Sequence, residues 1–371
     1  MDELIKQREA PFYLRAIVLA AGFLLGFILA WFVMKSVPGV RDQPRLGGEE
    51  TVEHAPAILY LSPAGGEAQL WMYDLTTGAH RQLTVVPGRI TGYDASSRGT
   101  FVAFTLETVS SETSLWRYDL RTGETRMLLD CGQDVCSSPD VSIEGVIAFD
   151  RYQADGILFP QTWLLDTRQE DIVPELLGTG AGRSPSWSPD GTRIAVVDDE
   201  AAVIRLIDLD YSTEELIPTA MGVMGSWDPG GDGFAFLDLQ LSYEPLGRLF
   251  YVDLLQGEIR AIDPVGYDLA DFSVPAWSPD GETLAAGVRL SGEGLGRKLV
   301  LFGVDGTGLV VVADEQNIIF GGVHWNASGD SLVFQQYSLE SPEDGPAIVT
   351  WSAGTGRELV AKDAFLPVWL P

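Results

Sequence analysis

Trp187-Ser188-Pro189-Asp190-Gly191 is the stretch that decides the fold, and it returns as Trp277-Ser278-Pro279-Asp280-Gly281. Proline presets φ at the second position of a turn, aspartate tolerates the third position, and glycine supplies the positive φ at the end. An alternating apolar segment follows each copy. The unit is therefore typical of a strand, a tight hairpin turn and a second strand.

Weaker copies of this turn recur along the chain and define a period. Their closing glycines are 46, 46, 40, 50 and 48 residues apart, at Gly99, Gly145, Gly191, Gly231, Gly281 and Gly329. A second motif, Leu-Trp-x-Tyr-Asp-Leu-x-Thr-Gly, lies in phase at 70–78 and 115–123 and indicates a third strand that turns into a fourth. Four short strands in each period predict a β-propeller.

Seven second strands are predicted, and they give seven blades: Ile58–Leu61, Phe101–Thr105, Val146–Asp150, Arg193–Val197, Gly233–Leu237, Thr283–Gly287 and Ser331–Gln335. No turn motif precedes the first, but the final segment Pro367–Pro371 copies Pro185–Pro189. We therefore expect an all-β, seven-bladed propeller across 56–371, closed by its C-terminal strand, because closure removes exposed sheet edges.

The repeats resemble the TolB-type, WD-repeat-like propeller family. Trp-Ser-Pro-Asp-Gly, an apolar strand of the Ile-Ala-Phe type and an aromatic strand that ends in Asp-x-x-Thr-Gly carry this resemblance, which covers roughly residues 57–371. Two of the six turns keep the full motif, whereas Asp94–Gly99 and Asp140–Gly145 lack the tryptophan. The resemblance implies the propeller fold and, by analogy only, contact with other proteins.

An uncharged run of 19 residues, 16–34, follows a short polar tail at 1–15. As a helix it would be about 29 Å long, which matches the hydrocarbon core of a bilayer. We expect a single transmembrane helix, with a cleaved signal peptide as the alternative. Residues 35–55 are rich in Pro, Gly and charge and predict a flexible linker. Gly22 and Gly26 form a small-residue motif that would support a weak homodimer.

Basic residues lie on both sides of this span, so charge alone does not orient it. The chain has only two cysteines, Cys131 and Cys136, five residues apart in one predicted loop between blades 2 and 3. Either they form a local disulfide, which needs an oxidising compartment, or they are two free thiols. With one large C-terminal domain behind the span, we expect a single-pass cell-membrane protein with the propeller on the exocytoplasmic side, periplasmic or extracellular.

The net charge limits the classes of partner that the protein can bind. With 53 acidic and 24 basic residues, it is −29. Such a field repels nucleic acid and favours basic partners. Long loops are predicted on one face, between second and third strands and between blades, and binding is expected there. The candidates on this loop-rich face are Tyr152, Phe159, Tyr243 and Tyr337, with the acidic cluster Asp198, Asp199 and Glu200. Each loop could instead pack only on its own blade, and the acidic cluster is either a solvated turn or a calcium site.

Catalytic motifs are missing from the sequence. The three histidines are far apart, and neither a Gly-x-Ser-x-Gly elbow nor a Cys/His metal spacing occurs. No cofactor, metal site or catalytic residue is predicted. The leading hypothesis is a membrane-anchored protein-binding or scaffold module of the cell envelope. The alternatives are an accessory subunit of a membrane complex, or a propeller hydrolase or lyase that acts on sugars or lactones with carboxylates in the central channel.

Overall fold

The computed structural model describes residues 55–370 except 154–158, 170–171, 179–181, 210–212, 221, 241–245, 263, 265–268, 291 and 293. The predicted tail, transmembrane helix and linker up to residue 54, with Gly22 and Gly26, lie outside the described residues, as does Tyr243. Among the residues that are described, no helix is long and apolar enough to cross a membrane.

The described chain forms seven antiparallel sheets, which are the blades. The strands of blades 1 to 3 are β1 (Ala57–Ser62), β2 (Gln69–Asp74), β3 (Ala79–Gln82), β4 (Arg89–Ala95), β5 (Phe101–Glu107), β6 (Thr113–Asp119), β7 (Thr125–Asp130), β8 (Asp134–Val141), β9 (Val146–Gln153), β10 (Gln161–Asp166) and β11 (Glu175–Leu176). Those of blades 4 and 5 are β12 (Arg183–Trp187), β13 (Arg193–Asp198), β14 (Val203–Asp208), β15 (Thr213–Pro218), β16 (Ser226–Trp227), β17 (Gly233–Gln240), β18 (Leu246–Asp253) and β19 (Glu258–Ala261).

Blades 6 and 7 complete the ring. Their strands are β20 (Leu269–Phe272), β21 (Ala276–Trp277), β22 (Thr283–Leu290), β23 (Lys298–Gly303), β24 (Val310–Ala313), β25 (Ile318–Trp325), β26 (Ser331–Ser338), β27 (Ala347–Ser352) and β28 (Gly356–Lys362), and a short 3-10 helix spans Pro342–Asp344. The last strand, β29 (Phe365–Trp369), pairs antiparallel with β1 and becomes the inner strand of blade 1. The predicted seven-bladed all-β fold is therefore confirmed, including closure by the C-terminal segment.

The Ser-Pro-Asp-Gly turn and its variants contact one another from blade to blade, which gives a physical reason for the repetition of the motif. Gly281 has a φ of 74°, and a Cβ at this position would lie 3.7 Å from the Pro229 ring of the preceding turn. At Gly329 the corresponding distance to Pro279 is 3.3 Å. Glycine is thus favoured at both positions by its positive φ, and at Gly329 also by the close approach of the neighbouring proline.

Buried side chains form seven clusters, which lie between neighbouring blades of the described chain. Six of them hold six or more buried residues each, such as the Phe272 and Phe302 cluster of blades 5 and 6. The cluster of blades 3 and 4 has only four, namely Ala148, Ile194, Val196 and Ile207. Among the described residues, this interface therefore has the fewest buried apolar side chains.

The inner strands carry an irregularity that the sequence did not predict. A register shift interrupts their pairing to the second strands, and Ser138, Ser184 and Leu366 have φ values of 51°, 52° and 52° at this point. In blade 6 the inner strand breaks into β20 and β21. Such bulges locally disrupt the pairing of these inner strands and bend the bulged strand.

One sequence prediction needs correction here. Cys131 lies in the connection after β7, as expected, but Cys136 lies within β8, paired to Arg151 of β9. The expected loop is shorter because residues from Asp134 onward already continue the hairpin with β9. Several predicted second strands also extend further than expected, for example β9 to Gln153.

Candidate functional site

Four tryptophans at equivalent inner-strand positions join blades 4, 5, 6, 7 and 1 in series. Each indole N–H donates a hydrogen bond to a backbone carbonyl on the inner strand of the preceding blade. The pairs are Trp227 to Ser186 at 3.0 Å, Trp277 to Ser226 at 3.3 Å, Trp325 to Ala276 at 3.1 Å and Trp369 to His324 at 3.0 Å. We call these four residues the tryptophan side of the channel wall.

Between blades 2, 3 and 4, where Ala95 and Val141 occupy the tryptophan position, aspartates make the contacts from one blade to the next. Asp94 accepts the backbone N–H of Val141 at 2.8 Å, and Asp140 accepts that of Trp187 at 2.6 Å. Asp150, on β9, accepts the N–H of Ser184 with both oxygens at 2.8 and 2.9 Å. We call the three aspartates the carboxylate side. The two turns that lack the tryptophan motif are thus joined by a different chemistry.

The carboxylate side is electrostatically unfavourable when fully ionised. Burial raises the pKa of Asp94 to about 6 and that of Asp150 to about 7, although the hydrogen bonds from backbone N–H groups act in the opposite direction. Burial and the neighbouring Asp94 charge raise the pKa of Asp140 well above its usual range. Desolvation therefore exceeds hydrogen bonding at all three residues. Among the described residues, the buried Trp187 indole N–H has no hydrogen-bond acceptor.

A cavity of about 910 Å³ lies along the tryptophan side, on the inner strands of blades 5 to 7. Its wall is mostly apolar and aromatic, with Val223, Phe272, Val274, Trp277 and Trp325 among the lining residues. The lining extends from the segments that precede the inner strands, on the loop-rich face, to the tight turns at the other end. The size and composition fit the usual range of ligand sites.

A few polar groups interrupt this apolar wall. Arg297 and Asp271 form an ion pair with nitrogen–oxygen distances of 2.5 and 3.0 Å. The His324 side chain keeps exposed surface, yet desolvation by the surrounding protein lowers its pKa to about 4. His324 is consequently neutral at physiological pH and can donate or accept a hydrogen bond. Such sparse polar groups can orient a bound ligand.

The sequence-predicted aromatics lie away from this cavity. Tyr152 is exposed near the end of β9, Phe159 is half-buried before β10, and Tyr337 is half-buried on β26, opposite Ile319. None of the three is among the residues that line the cavity. Of these three residues, only Tyr152 is exposed, and it stays a predicted binding residue on the surface of blade 3.

The acidic cluster is largely paired. Asp198 is buried and accepts bonds from Arg205 at 2.5 and 2.7 Å. Asp199 forms a two-point ion pair with Arg183 at 2.6 and 2.9 Å, whereas Glu200 is exposed. Within the described residues, no group of three or more acidic, histidine or cysteine side chains is arranged to hold a metal ion. The cluster therefore consists mainly of inter-strand ion pairs.

Cys131 and Cys136 are joined in a disulfide with an S–S distance of 2.04 Å, and both are buried. Their segment is tied to blade 2 through Thr113, whose hydroxyl accepts the Cys136 N–H at 2.8 Å and donates to the Asp134 carbonyl at 3.2 Å. The bond thus closes the connection that leads from blade 2 into blade 3.

Sequence reasoning missed the cavity because its residues belong to the repeat itself. Trp277 and Trp325 were understood only as fold-defining positions, yet one face of each borders the cavity. A signal was present in the segments before the inner strands. Pro275, Gly321 and Gly322 are poor strand formers. They lie where the regular pairing of the inner strand with the second strand is interrupted in blades 6 and 7.

Comparisons with known proteins support the fold and no more. No family model matches the chain, and no curated protein matches it. Among solved structures, TolB from Acinetobacter baumannii is 17% identical, with a TM-score of 0.50 over 70% of this chain and 64% of that one. This chain thus spans less than two thirds of that TolB.

Two peptidase structures are also similar to this chain. A structure from a study of two prolyl endopeptidases is 14% identical, with a TM-score of 0.62 over 85% of this chain and 49% of that one. The β-propeller domain of the Trilobed protease from Pyrococcus furiosus, described as having an open velcro topology, is 14% identical, with a TM-score of 0.54 over 73% of this chain and 81% of that one. In this chain, by contrast, β29 closes the ring on β1.

Proposed function

We propose that this protein is a membrane-anchored binding module that takes an extended segment of a partner protein into the cavity along the tryptophan side. The observation that carries the proposal is the chemistry of that wall. Apolar and aromatic side chains dominate it, and its polar groups are few. An apolar cavity of this size suits recognition of side chains, whereas acid–base chemistry on a sugar needs convergent carboxylates.

The carboxylates of the channel wall support binding over catalysis because they are already engaged. Asp94, Asp140 and Asp150 each accept a backbone N–H from the next blade. A carboxylate that holds two blades together must break that contact to act on a substrate. A hydrolase or lyase would thus require a different set of acids from those that the channel wall presents in this arrangement.

The shape of the cavity favours a peptide as its occupant. Its lining follows the inner strands from the loop-rich face to the tight turns, so an elongated ligand fits better than a compact one. Val274 is 41% exposed, so its side chain is available to a ligand. The neutral His324 ring and the Arg297–Asp271 pair supply the hydrogen bonds that a peptide backbone needs.

We further propose that residues 16–34 hold the propeller at the outer surface of the cell membrane. Two observations support this placement. The 19-residue run carries no charge and has the length of a bilayer core. The Cys131–Cys136 disulfide is the kind of bond that persists in oxidising compartments. Proteolysis of sealed membrane vesicles in both orientations tests it, and protection of the propeller in right-side-out vesicles would contradict it.

Site-directed photocrosslinking tests the binding proposal. A photoreactive amino acid replaces Val274 in the full chain, within the membranes of the source organism. The matched control places the same residue at Val109, which is 95% exposed on the loop-rich face of blade 2. We expect a protein adduct at position 274 that is missing at position 109. The absence of any protein adduct at position 274 would overturn the proposal.

Affinity measurements with the captured partner then separate the cavity from the rest of the surface. Val274→Glu places a charge in an apolar wall and should weaken binding of the purified partner about tenfold or more, equivalent to about 1.4 kcal/mol. Val109→Glu changes the net charge equally and should leave the affinity within about twofold. Equal losses in the two variants would mean that the partner senses only bulk charge.

A further inference from the structure

The outermost strands of the blades differ in whether they carry charged residues. Such edge strands expose a row of unpaired backbone groups, and proteins usually protect them with charged residues. Six of the seven outer strands carry charge, at Arg81, Arg126, Glu175, Glu214, Arg260 and Arg357 among other positions. The exception is β24 of blade 6, Val310-Val311-Val312-Ala313. Blade 6 thus has an uncharged edge strand, with a register shift in its pairing to β23 between Val311 and Ala313.

The side chains of β24 are open to solvent as well. Val310 is 51% exposed and Val311 is 45% exposed, whereas Ala313 is buried. The strand pairs with β23 on its inner side, and among the described strands none pairs with it on the outer side. A β-branched, uncharged and unpaired edge is the usual template for addition of another strand.

Charge at the ends of β24 indicates what kind of strand would fit. Asp305 is exposed in the turn between β23 and β24, and hydrogen bonds from Thr307 lower its pKa and keep it ionised. Asp314 follows the strand with its side chain 54% exposed, 3.2 Å from Lys298. The chain as a whole has a net charge of −29. Two copies of the protein therefore repel each other, whereas a basic partner is attracted.

We propose that β24 is a second binding site, at which an extended, uncharged β-branched segment flanked by basic residues adds to blade 6 as a fifth strand. Backbone hydrogen bonds to the open edge supply the affinity, and the lysine or arginine flanks meet Asp305 and Asp314. This site lies on the outer rim of the propeller and is independent of the cavity on the channel wall.

Fluorescence anisotropy with a defined peptide tests the site on the full chain. The probe is Lys-Lys-Val-Thr-Val-Thr-Val-Lys-Lys with a fluorescent label. The control peptide replaces the central valine by proline, which keeps the charge but removes a backbone N–H and disrupts the strand. We expect the probe to bind at least about tenfold more tightly than the proline peptide. A tenfold ratio of affinities corresponds to about 1.4 kcal/mol of binding free energy. Equal binding of the two peptides would overturn the proposal.

Paired variants locate the site. Val311→Lys places a charge on the open edge and should remove the preference for the probe over the proline peptide. Ile259→Lys is the matched control, since Ile259 is 50% exposed on β19, the outer strand of blade 5. It should keep the preference. If Val311→Lys fails to fold by circular dichroism, Val310→Lys serves instead.

Two further outcomes separate this proposal from its alternatives. If sedimentation shows that the wild-type chain dimerises and that Val311→Lys abolishes the dimer, a second copy occupies β24 and the basic-partner proposal is wrong. Val274→Glu in the channel cavity should leave probe binding unchanged. Loss of probe binding in that variant would place the peptide in the cavity rather than on blade 6.

Discussion

The tryptophan side and the carboxylate side of the channel wall perform the same task by different means. On the tryptophan side one residue both fills space between blades and donates a hydrogen bond, as Trp227 does to the Ser186 carbonyl. On the carboxylate side Asp140 and Asp150 accept backbone N–H groups but bring little apolar surface. A large aromatic residue buries far more area than a carboxylate, and its burial has no charge penalty.

Packing differs at one interface of the carboxylate side, although the blade 2 to blade 3 interface is as well filled as those of the tryptophan side. The interface of blades 3 and 4, joined by Asp140 and Asp150, has the smallest buried cluster of the described ring. The blade 2 to blade 3 connection, next to it, is the one closed by the Cys131–Cys136 disulfide. We expect the carboxylate side to be the less stable and the more pH-sensitive part of the propeller.

Deletion of residues 365–371 should have the largest effect, because it opens the ring on the tryptophan side. It removes β29, which pairs with β1, and the indole of Trp369, which bonds the His324 carbonyl at 3.0 Å. Blade 1 would then expose an unpaired β1 with fully buried Ile58, Leu59 and Leu61. We expect loss of cooperative unfolding in a thermal melt followed by circular dichroism. A melt identical to that of the full chain would show that closure contributes nothing.

The blade count and this closure were predictable because they rest on local chemistry that repeats. Glycine with positive φ, proline at the second turn position and an aromatic before the turn all act within a few residues. Pro367–Pro371 could be recognised as a displaced inner strand because it copies Pro185–Pro189. Repetition thus converted weak local signals into a global arrangement.

The channel wall was less predictable because its properties depend on contacts between blades. Asp94 and Asp140 were seen only as departures from the tryptophan motif, since nothing local shows that they accept a neighbour's N–H. The cavity depends on how far the inner strands of blades 5 to 7 separate, which the repeat does not encode. The exposed edge of β24 could not be predicted because the sequence does not show which strand of a blade is outermost. It became visible only when the seven outer strands were compared.

Asp150→Asn should change the pH dependence of stability. Burial raises the folded-state pKa of Asp150 to about 7, so the folded protein binds a proton more tightly than the unfolded chain. Its contribution to the free energy of unfolding is therefore present below about pH 4 and is lost as the pH rises toward 7. Asparagine keeps an oxygen acceptor for the Ser184 N–H without the charge. At pH 8 the variant should be more stable than the wild type, by up to about 4 kcal/mol.

The comparison of urea unfolding at pH 5 and pH 8 measures this effect. The control is Asp280→Asn on the tryptophan side, where the Ser278 hydroxyl lowers the pKa of an exposed turn aspartate. That group stays ionised from pH 5 to pH 8, so the control should show the same pH dependence as the wild type. If Asp150→Asn also shows the wild-type pH dependence, the carboxylate side is not the pH-sensitive part of the ring.

Removal of the disulfide should weaken the carboxylate side without opening the ring. Cys131→Ser with Cys136→Ser releases a short loop, for which a loss of about 2 kcal/mol is expected. Hydrogen exchange should increase first in β7 and β8, and the strands of blades 5 to 7 should keep their protection. Mass spectrometry of the wild type before and after reduction, with an expected gain of two hydrogens, provides the control. A uniform increase in exchange around the ring would show that the two sides unfold together.

The smallest predicted effect is also the most direct comparison of the two sides. Trp→Phe removes the indole N–H and little else, and Trp187 and Trp227 occupy equivalent inner-strand positions. The Trp227 N–H bonds the Ser186 carbonyl, whereas the buried Trp187 N–H has no acceptor among the described residues. Trp227→Phe should therefore lower the free energy of unfolding by about 1–2 kcal/mol more than Trp187→Phe, because only the former breaks a bond. Equal losses in urea unfolding would mean that packing alone, rather than the hydrogen bond, distinguishes the tryptophan side.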